Sequence, residues 1–293
     1  MRADVSALAA SPARVGDFLE LTKPRITTLV LVTAAAGYAI GAGRGLDPAV
    51  FVALLGGTAM VAGGASALNQ YAERETDALM DRTRRRPLPS GRVTPPEALA
   101  FGLVLSAAGL VLLAAIHPLT AALGAAALAS YVLLYTPLKQ LTSLCTVVGA
   151  VPGAIPPMIG WAAARGTLGL GAWALFAVLF LWQLPHFLAI GWIYRQDYAR
   201  GGFPMLPVMD KDGRLTGRQM MLYSAALLPV TLLAGATASA GTGYLWSALA
   251  LGLLFFASSA GFAKTRSLGA ARLLFLVSVL YLPALLGLMV FDR

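Results

Sequence analysis

The sequence predicts an all-α, polytopic integral membrane protein with nine transmembrane helices, its N-terminus cytoplasmic and its C-terminus outside. Three observations carry that prediction. Hydrophobic residues make up 58% of the chain and charged residues only 12%, with a mean hydropathy of +0.74, whereas about a quarter of a soluble domain is charged. Apolar runs long enough to cross a hydrocarbon core of about 30 Å recur along the whole length; strands of a membrane barrel would be shorter and would alternate polar with apolar residues. Finally, all but three of the 22 Lys and Arg fall on one side of a nine-span topology, the exceptions being Arg44, Arg165 and Arg293. The basic side faces the cytoplasm. An eight- or ten-span arrangement would put heavily basic loops on both faces.

In chain order, "ARVGDFLELTKPR" reads as a short interfacial helix leading into the first span, 26–42. Asp4, Arg14 and Asp17 interrupt every candidate secretory core, and no Arg/Ser-rich transit peptide is visible, so a bacterial cell (inner) membrane is expected. The second span, 49–68, runs straight into an acidic stretch. Spans three and four, 95–116 and 118–137, flank His117, read as an outer-interface residue. The fifth, 146–164, contains Pro152, Pro156 and Pro157 with Gly149 and Gly153, a broken helix of the kind tolerated only where it lines a cavity or packs in protein. The sixth, 170–192, places Gln183, Pro185 and His186 in an apolar run, and Pro185 removes a backbone donor and should kink it. The last three runs are 217–238, 241–262 and 271–290. Cys145 is the only cysteine, which excludes an intrachain disulfide and leaves a small packing residue. With no internal repeat or linker, residues 21–293 read as one transmembrane domain after a cytoplasmic segment, 1–20. The net charge of +9 belongs to the membrane face and not to a nucleic-acid partner.

The chemistry is expected where the second span ends, in "NQYAERETDALMDRTRRRPLPSG", residues 69–91. Of only 13 acidic residues, Glu73, Glu75, Asp77 and Asp81 crowd together here, followed by a block of arginines. If the helix continues, Asn69, Glu73, Asp77 and Asp81 recur at every fourth position and share one stripe, while Glu75 points elsewhere. Like charges stacked this way cost a few tenths of a kcal/mol per pair, and more near lipid. A cation seated on the stripe would remove that cost. Oxygen ligands without neighbouring His or Cys favour Mg²⁺ or a similarly hard ion over zinc. The bland alternative is a solvated loop neutralised by Arg74, Arg82 and Arg84. The guanidinium forks of "RTRRRPLPSGR" suit phosphate oxygens, however, and carboxylates, hard metal and arginines together describe a diphosphate site.

Two further polar islands lie on the same side. "LWQLPHFLAIGWIYRQDYARGGFPMLPV", 181–208, adds His186, Arg195 and Asp197, with His186 either functional or a hydrogen-bonded core residue. "YTPLKQLTSLCTVVGAVPGAIPPMIGW", 135–161, begins with Tyr135 and Lys139, the latter a phosphate partner or an ordinary snorkelling lysine.

These stretches resemble the intramembrane aromatic prenyltransferase superfamily and, within it, the protohaem IX farnesyltransferases (haem O synthases). The N-x3-E-x3-D of Asn69, Glu73 and Asp77 is similar to the superfamily's N-x3-D-x3-D, with Glu73 at the position where Asp is usual, and it continues into the family's R-T-x-x-R-P-L. The likeness runs from about Leu21 to Asp292. The resemblance implies a central cavity opening to the inner face, Mg²⁺ as cofactor, and farnesyl transfer from farnesyl diphosphate to a vinyl group of haem b, giving haem o and diphosphate. Farnesyl diphosphate, haem b and membrane lipid are then the partners, with terminal-oxidase assembly factors downstream. It implies metal ligation by Asn69, Glu73 and Asp77, with Asp197 on the facing side, and diphosphate contacts from Arg82, Arg86, Lys139 and, more weakly, Arg195, with Tyr135 also in the substrate site. A second D-x3-D pair is incomplete, because Gly201 follows Asp197 four residues on, leaving one or two metals open. His186 could orient haem, ligate its iron or move a proton.

Other classes fit less well. A transporter would place its charges near the midplane and show an inverted repeat. A prenyltransferase for a quinone precursor or chlorophyll would share the diphosphate half of the site but not the "WQLPHF" tract. A head-group phosphotransferase would need close-set aspartates that are absent.

Overall fold

Proline and capping residues start most of the helices. The structure, a computed structural model, describes residues 14–43, 45–238 and 240–292; residues 1–13 of the expected N-terminal segment, with Arg44 and Arg293, lie outside that range. The expected interfacial helix is α1 (Val15–Leu21), where the Asp17 carboxylate accepts the Arg14 N–H at 3.0 Å. It leads into α2 (Pro24–Ala42) and α3 (Pro48–Ala78), each with proline in its first turn, a position that has no backbone donor to lose. Asp47 caps α3, accepting from the Ala49 and Val50 amides at 2.8 and 3.2 Å. Next come α4 (Pro95–Ile116), where the Glu97 carboxylate accepts the Thr94 N–H at 2.8 Å, and α5 (Pro118–Ala129), capped by His117 accepting from Leu119 N–H at 3.1 Å. The α5 segment passes through a π-helical turn, Ser130–Tyr135, into α6 (Thr136–Leu138).

The broken fifth span is α7 (Cys145–Ala154) and α8 (Pro156–Arg165). Pro156 and Pro157 lack the N–H groups that would continue the helical ladder, so it is interrupted at Ile155. Gln183 closes against the break from across the bundle, its amide donating to the Ala150 carbonyl at 2.7 Å. It belongs to α9 (Leu170–Ile193), which runs unbroken through Pro185. Short helices α10 (Arg195–Arg200) and α11 (Leu206–Met209) precede α12 (Arg214–Thr237), α13 (Thr242–Thr265) and α14 (Leu268–Phe291). Among the described residues nine spans are long and apolar enough to cross a membrane, and each coincides with a run read from the sequence.

Helices in lipid gain little from hiding apolar surface from one another, so close backbone approach through small residues holds them together. A Cβ on Gly160 of α8 would stand 1.9 Å from the Ala34 carbonyl oxygen of α2, and one on Gly37 would stand 2.1 Å from the Pro157 carbonyl oxygen. The α3–α4 seam is built the same way: a Cβ on Gly64 would meet Ser106 Oγ at 2.2 Å and one on Gly109 the Gly57 carbonyl oxygen at 2.8 Å. The larger apolar core joins α9, α12, α13 and α14 around Leu227, Tyr244, Phe255 and Tyr281. Cys145 is fully buried in a smaller cluster with Met80, Tyr198, Phe203 and Met205, consistent with a packing role.

Because the Ala34 backbone leaves no room beside it, Gly160→Val should cost about 3 kcal/mol or more, read as a lowered thermal unfolding midpoint in detergent; an unchanged midpoint would mean that α2 and α8 are not in register as described.

Candidate active site

Helix α3 continues ten residues past the apolar run expected from sequence, to Ala78, and in doing so carries Asn69, Glu73 and Asp77 along one face. All three are buried, with relative exposures of 2%, 2% and 1%. Unpaired carboxylates in that position would be untenable, and each of the three side chains meets a basic group from a different part of the chain. Lys23 Nζ donates to Asn69 Oδ1 at 2.9 Å. Lys139 Nζ donates to both Glu73 oxygens at 3.3 and 3.2 Å, and Arg86 Nη1 to Asp77 Oδ2 at 2.6 Å. Asp77 Oδ1 is buried without a partner.

The stripe stops one residue sooner than the spacing suggests. Asp81 lies beyond the helix, exposed, paired with Arg84 at 3.4 Å and Arg200 at 2.6 Å. The chain turns because Met80 drops into the apolar cluster around Cys145 and Phe203, while the Thr83 hydroxyl donates to the Asp77 carbonyl at 2.7 Å, occupying an acceptor at the helix end. Glu75 is exposed, as expected, and pairs with Arg74 at 3.2 Å.

Asn69, Glu73 and Asp77 stand in the wall of a cavity of about 350 Å³. Around them are Lys23, Arg82, Arg86, Lys139, Tyr131 and Tyr135, and farther in the lining turns apolar with Val30, Val61, Leu128, Ile159 and Phe187. The broken fifth span contributes Gly149, Pro152, Gly153 and Pro156 to this wall, the setting in which an interrupted membrane helix is tolerated. Tyr131 and Tyr135 stack at 5.4 Å between ring centroids, brought together by the π-helical turn. Arg82 lies over Tyr194 and Tyr198 at 5.3 and 5.2 Å and donates to the Tyr198 hydroxyl at 3.0 Å.

Three expected site residues are placed elsewhere. Asp197 is outside the cavity lining and does not complete a third carboxylate with Glu73 and Asp77; among the described residues no three His, Cys, Asp or Glu side chains converge as a metal site. Its carboxylate instead accepts the backbone N–H groups of Asp81 and Arg82, each at 3.3 Å, and pairs with Arg200. Burial pushes this carboxyl up, but the Arg200 guanidinium and the two amides outweigh it and hold it below the usual range. Arg195 faces a separate cavity, stacked on Trp192 at 4.5 Å. His186 is not in the cavity wall either; it packs between α9 and α14.

Two residues of the wall escaped sequence reasoning. Lys23 figured only as a topological charge, yet it sits at the head of α2 in a left-handed conformation, φ 49°, and strain of this kind concentrates at functional positions. Burial, then the like charge of Arg86, holds its amine down to about 7. The Lys-Pro step ahead of an apolar run was the available signal. Tyr131 had only its spacing of four from Tyr135.

A helical bundle with this outline has been seen before. The chain superposes with a TM-score of 0.81 on a structure described as digeranylgeranylglyceryl phosphate synthase in membranes, at 17% identity and covering 95% of this chain and 98% of that one. It also superposes at 0.68 on a UbiA homologue from Archaeoglobus fulgidus bound to GPP and Mg²⁺, at 16% identity over 94% and 99%. These likenesses define the fold of an intramembrane UbiA-type protein. The sequence profile of the UbiA prenyltransferase family matches residues 30–282, and the chain belongs to that family; it is a membrane-embedded transferase. Relatives named protoheme IX farnesyltransferase include one from Solibacter usitatus, 49% identical over 94% of this chain and 98% of its own. Another, from Myxococcus xanthus, is 45% identical over 96% of each.

The grip of Asp197 on the Asp81 and Arg82 amides yields a direct expectation. Asp197→Ala should loosen the arginine loop, so that trypsin cuts after Arg82, Arg84 or Arg85 several-fold faster under native conditions; parental cleavage rates would contradict the latch.

Proposed function

We propose that the protein transfers a farnesyl group from farnesyl diphosphate to a vinyl group of haem b, giving haem o, with Mg²⁺ at Asn69, Glu73 and Asp77. The observation that carries the prenyl diphosphate half is the matched set at the cavity mouth: three oxygen ligands on one helix face, each held by a cation from another segment, with an apolar chamber behind. Mg²⁺ is usually bound by one or two carboxylates together with substrate phosphates instead of an all-protein cage. Two carboxylates, an amide oxygen and the unpartnered Asp77 Oδ1 fit that donor set. The acceptor half is supported by the naming of relatives at 42–49% identity.

Bound there, Mg²⁺ would supply Lewis-acid neutralisation of the leaving diphosphate. Everything else falls to the chain. Lys139 and Arg86 now neutralise Glu73 and Asp77, and Lys23 donates to the Asn69 amide oxygen; with a diphosphate present they can pass to its oxygens while the acids turn to the metal. Arg82, fixed by its two tyrosines, adds a guanidinium fork. Neutralising the diphosphate lets the allylic C–O bond break with its electron pair leaving on oxygen. The terminal vinyl carbon supplies its π pair to form the new C–C bond, and the cation left on the inner vinyl carbon takes a water oxygen, whose proton is released to water. Tyr131, Tyr135 and the apolar wall shield the allylic cation from earlier water attack. The active site is placed at the cytoplasmic face of a bacterial inner membrane, residues 21–293 forming one catalytic unit.

Membranes containing the protein, supplied with haem b, labelled farnesyl diphosphate and Mg²⁺, should yield a porphyrin heavier by one farnesyl group and one hydroxyl by mass spectrometry. A labelled quinone or chlorophyll product with unchanged haem would overturn the assignment. Asp77→Ala should still bind farnesyl diphosphate but lose turnover by roughly a hundredfold or more, and EDTA should do the same to the parent. Lys139→Met should act chiefly by raising KM for the diphosphate; a loss confined to kcat would place Lys139 outside substrate binding.

A further inference from the structure

The seam between α9 and α14 carries polar groups that the cavity does not use. Trp182 and His186 lie one turn apart on α9 and both address Ser278 of α14. The indole N–H donates to the Ser278 carbonyl oxygen at 2.9 Å, and His186 Nδ1 lies 2.7 Å from the Ser278 hydroxyl. A serine hydroxyl has a single hydrogen, and this one is directed at the Phe275 carbonyl oxygen 2.6 Å away. The Ser278 oxygen therefore accepts from Nδ1–H. That puts a proton on Nδ1, so the neutral imidazole has its lone pair on Nε2, which has no hydrogen bond from a described residue. Trp182 and Phe275 clamp the ring from either side, with centroids at 5.0 and 5.1 Å and interplanar angles of 21° and 27°. An imidazole oriented through one nitrogen, with the other free, is the usual way a protein presents a metal ligand.

Two turns along, the same seam ends in a second cavity of about 310 Å³, between Trp192, Ile193, Arg195, Gln196, Arg266 and Leu268. Ile193 follows His186 by seven residues and Phe275 follows Leu268 by seven, so this cavity lies about 10 Å from the imidazole along either helix. Arg195 and Arg266 make no salt bridge with a described residue; Asp212, within electrostatic reach of Arg266, is already paired with Arg214 at 3.0 Å. Arg266 is held in a left-handed conformation, φ 50°, which costs a non-glycine residue energy. The seam thus presents a free nitrogen in an aromatic slot and, about 10 Å away, two guanidiniums without a salt-bridge partner among the described residues.

We propose that this seam is a docking site for the haem b substrate, separate from the prenyl diphosphate cavity. His186 Nε2 takes an axial position on the iron, and Arg195 and Arg266 receive the propionates. A porphyrin carries its iron at the centre and both carboxylates on one edge, which matches the order of groups along the seam. Gln183, Phe187 and Ile190 of α9 line the cavity, so one helix serves the acceptor on one flank and the prenyl donor on another. The inference rests on haem b being the acceptor.

The test uses the purified full chain in nanodiscs of zwitterionic lipid, titrated with ferric haem b and followed by absorption and EPR spectra. The parent should give a nitrogen-ligated spectrum that His186→Gly loses and exogenous imidazole restores, which separates ligation from misfolding. Ser278→Ala should weaken haem binding roughly ten- to hundredfold. Arg195→Gln with Arg266→Gln should weaken it at least tenfold while the ligated spectrum persists, and farnesyl diphosphate affinity should not change in any variant. A parent that farnesylates haem b but whose spectrum is the same in His186→Gly overturns the docking site alone. Arginine variants that bind haem normally but lose affinity for anionic phospholipid turn the second cavity into a lipid headgroup site and overturn the propionate assignment. A parent that takes up no haem overturns the function on which the inference stands.

Discussion

Two carboxylates and an amide buried at the end of a membrane-spanning helix constrain the rest of this structure. Removing one partner of a buried ion pair costs about 3–5 kcal/mol, because the survivor is left charged and dry. Glu73 and Asp77 therefore need cations in place, which come from the end of α6 and the loop after α3, while the head of α2 supplies Lys23 as the donor to the Asn69 amide. Segments distant in sequence are drawn to one point. Of these oxygens only Asp77 Oδ1 has no hydrogen-bond partner among the described residues.

A site of this type has to be supported from outside as well. Asp197 and Arg200 hold the arginine loop from one side. Arg92 holds it from the other, reaching back to Asp17 and, at 2.9 Å, to Glu20 of α1. The interfacial helix and α10 thus grip the segment that carries Arg82 and Arg86. These ties reach the cavity only through the backbone of Arg82, and they decide where its guanidiniums stand.

The spans were legible in the sequence because length and hydropathy decide them without reference to partners, and the break at Pro156 because a missing N–H is a local fact. Helix α3 outran its apolar run because the carboxylates that appear to end it are compensated from elsewhere, which spacing along one segment does not reveal. Asp81 left the stripe for a tertiary reason, the burial of Met80. The same limit governed Asp197, Arg195 and His186. Each lies in the right tract and near the right chemistry, yet side-chain direction on α9 and α10 sends them to the loop, to the second cavity and to α14. Lys23 went unnoticed because one lysine at a helix head is ordinary until a fold brings it within 2.9 Å of Asn69.

The π-helical turn at Ser130–Tyr135 has a consequence for how this chain tolerates insertions and deletions. Such a turn accommodates one extra residue within an α-helix, so the segment after it keeps the facing that a regular helix one residue shorter would give it. Tyr135 and Lys139 occupy the cavity wall in that setting. Removing one residue between Ala129 and Thr136 would restore regular geometry and leave the ammonium of Lys139 facing Glu73, whereas one residue added in a regular stretch would turn it by roughly 100°. The turn is thus the place where this span can change its length by one residue without moving a charge.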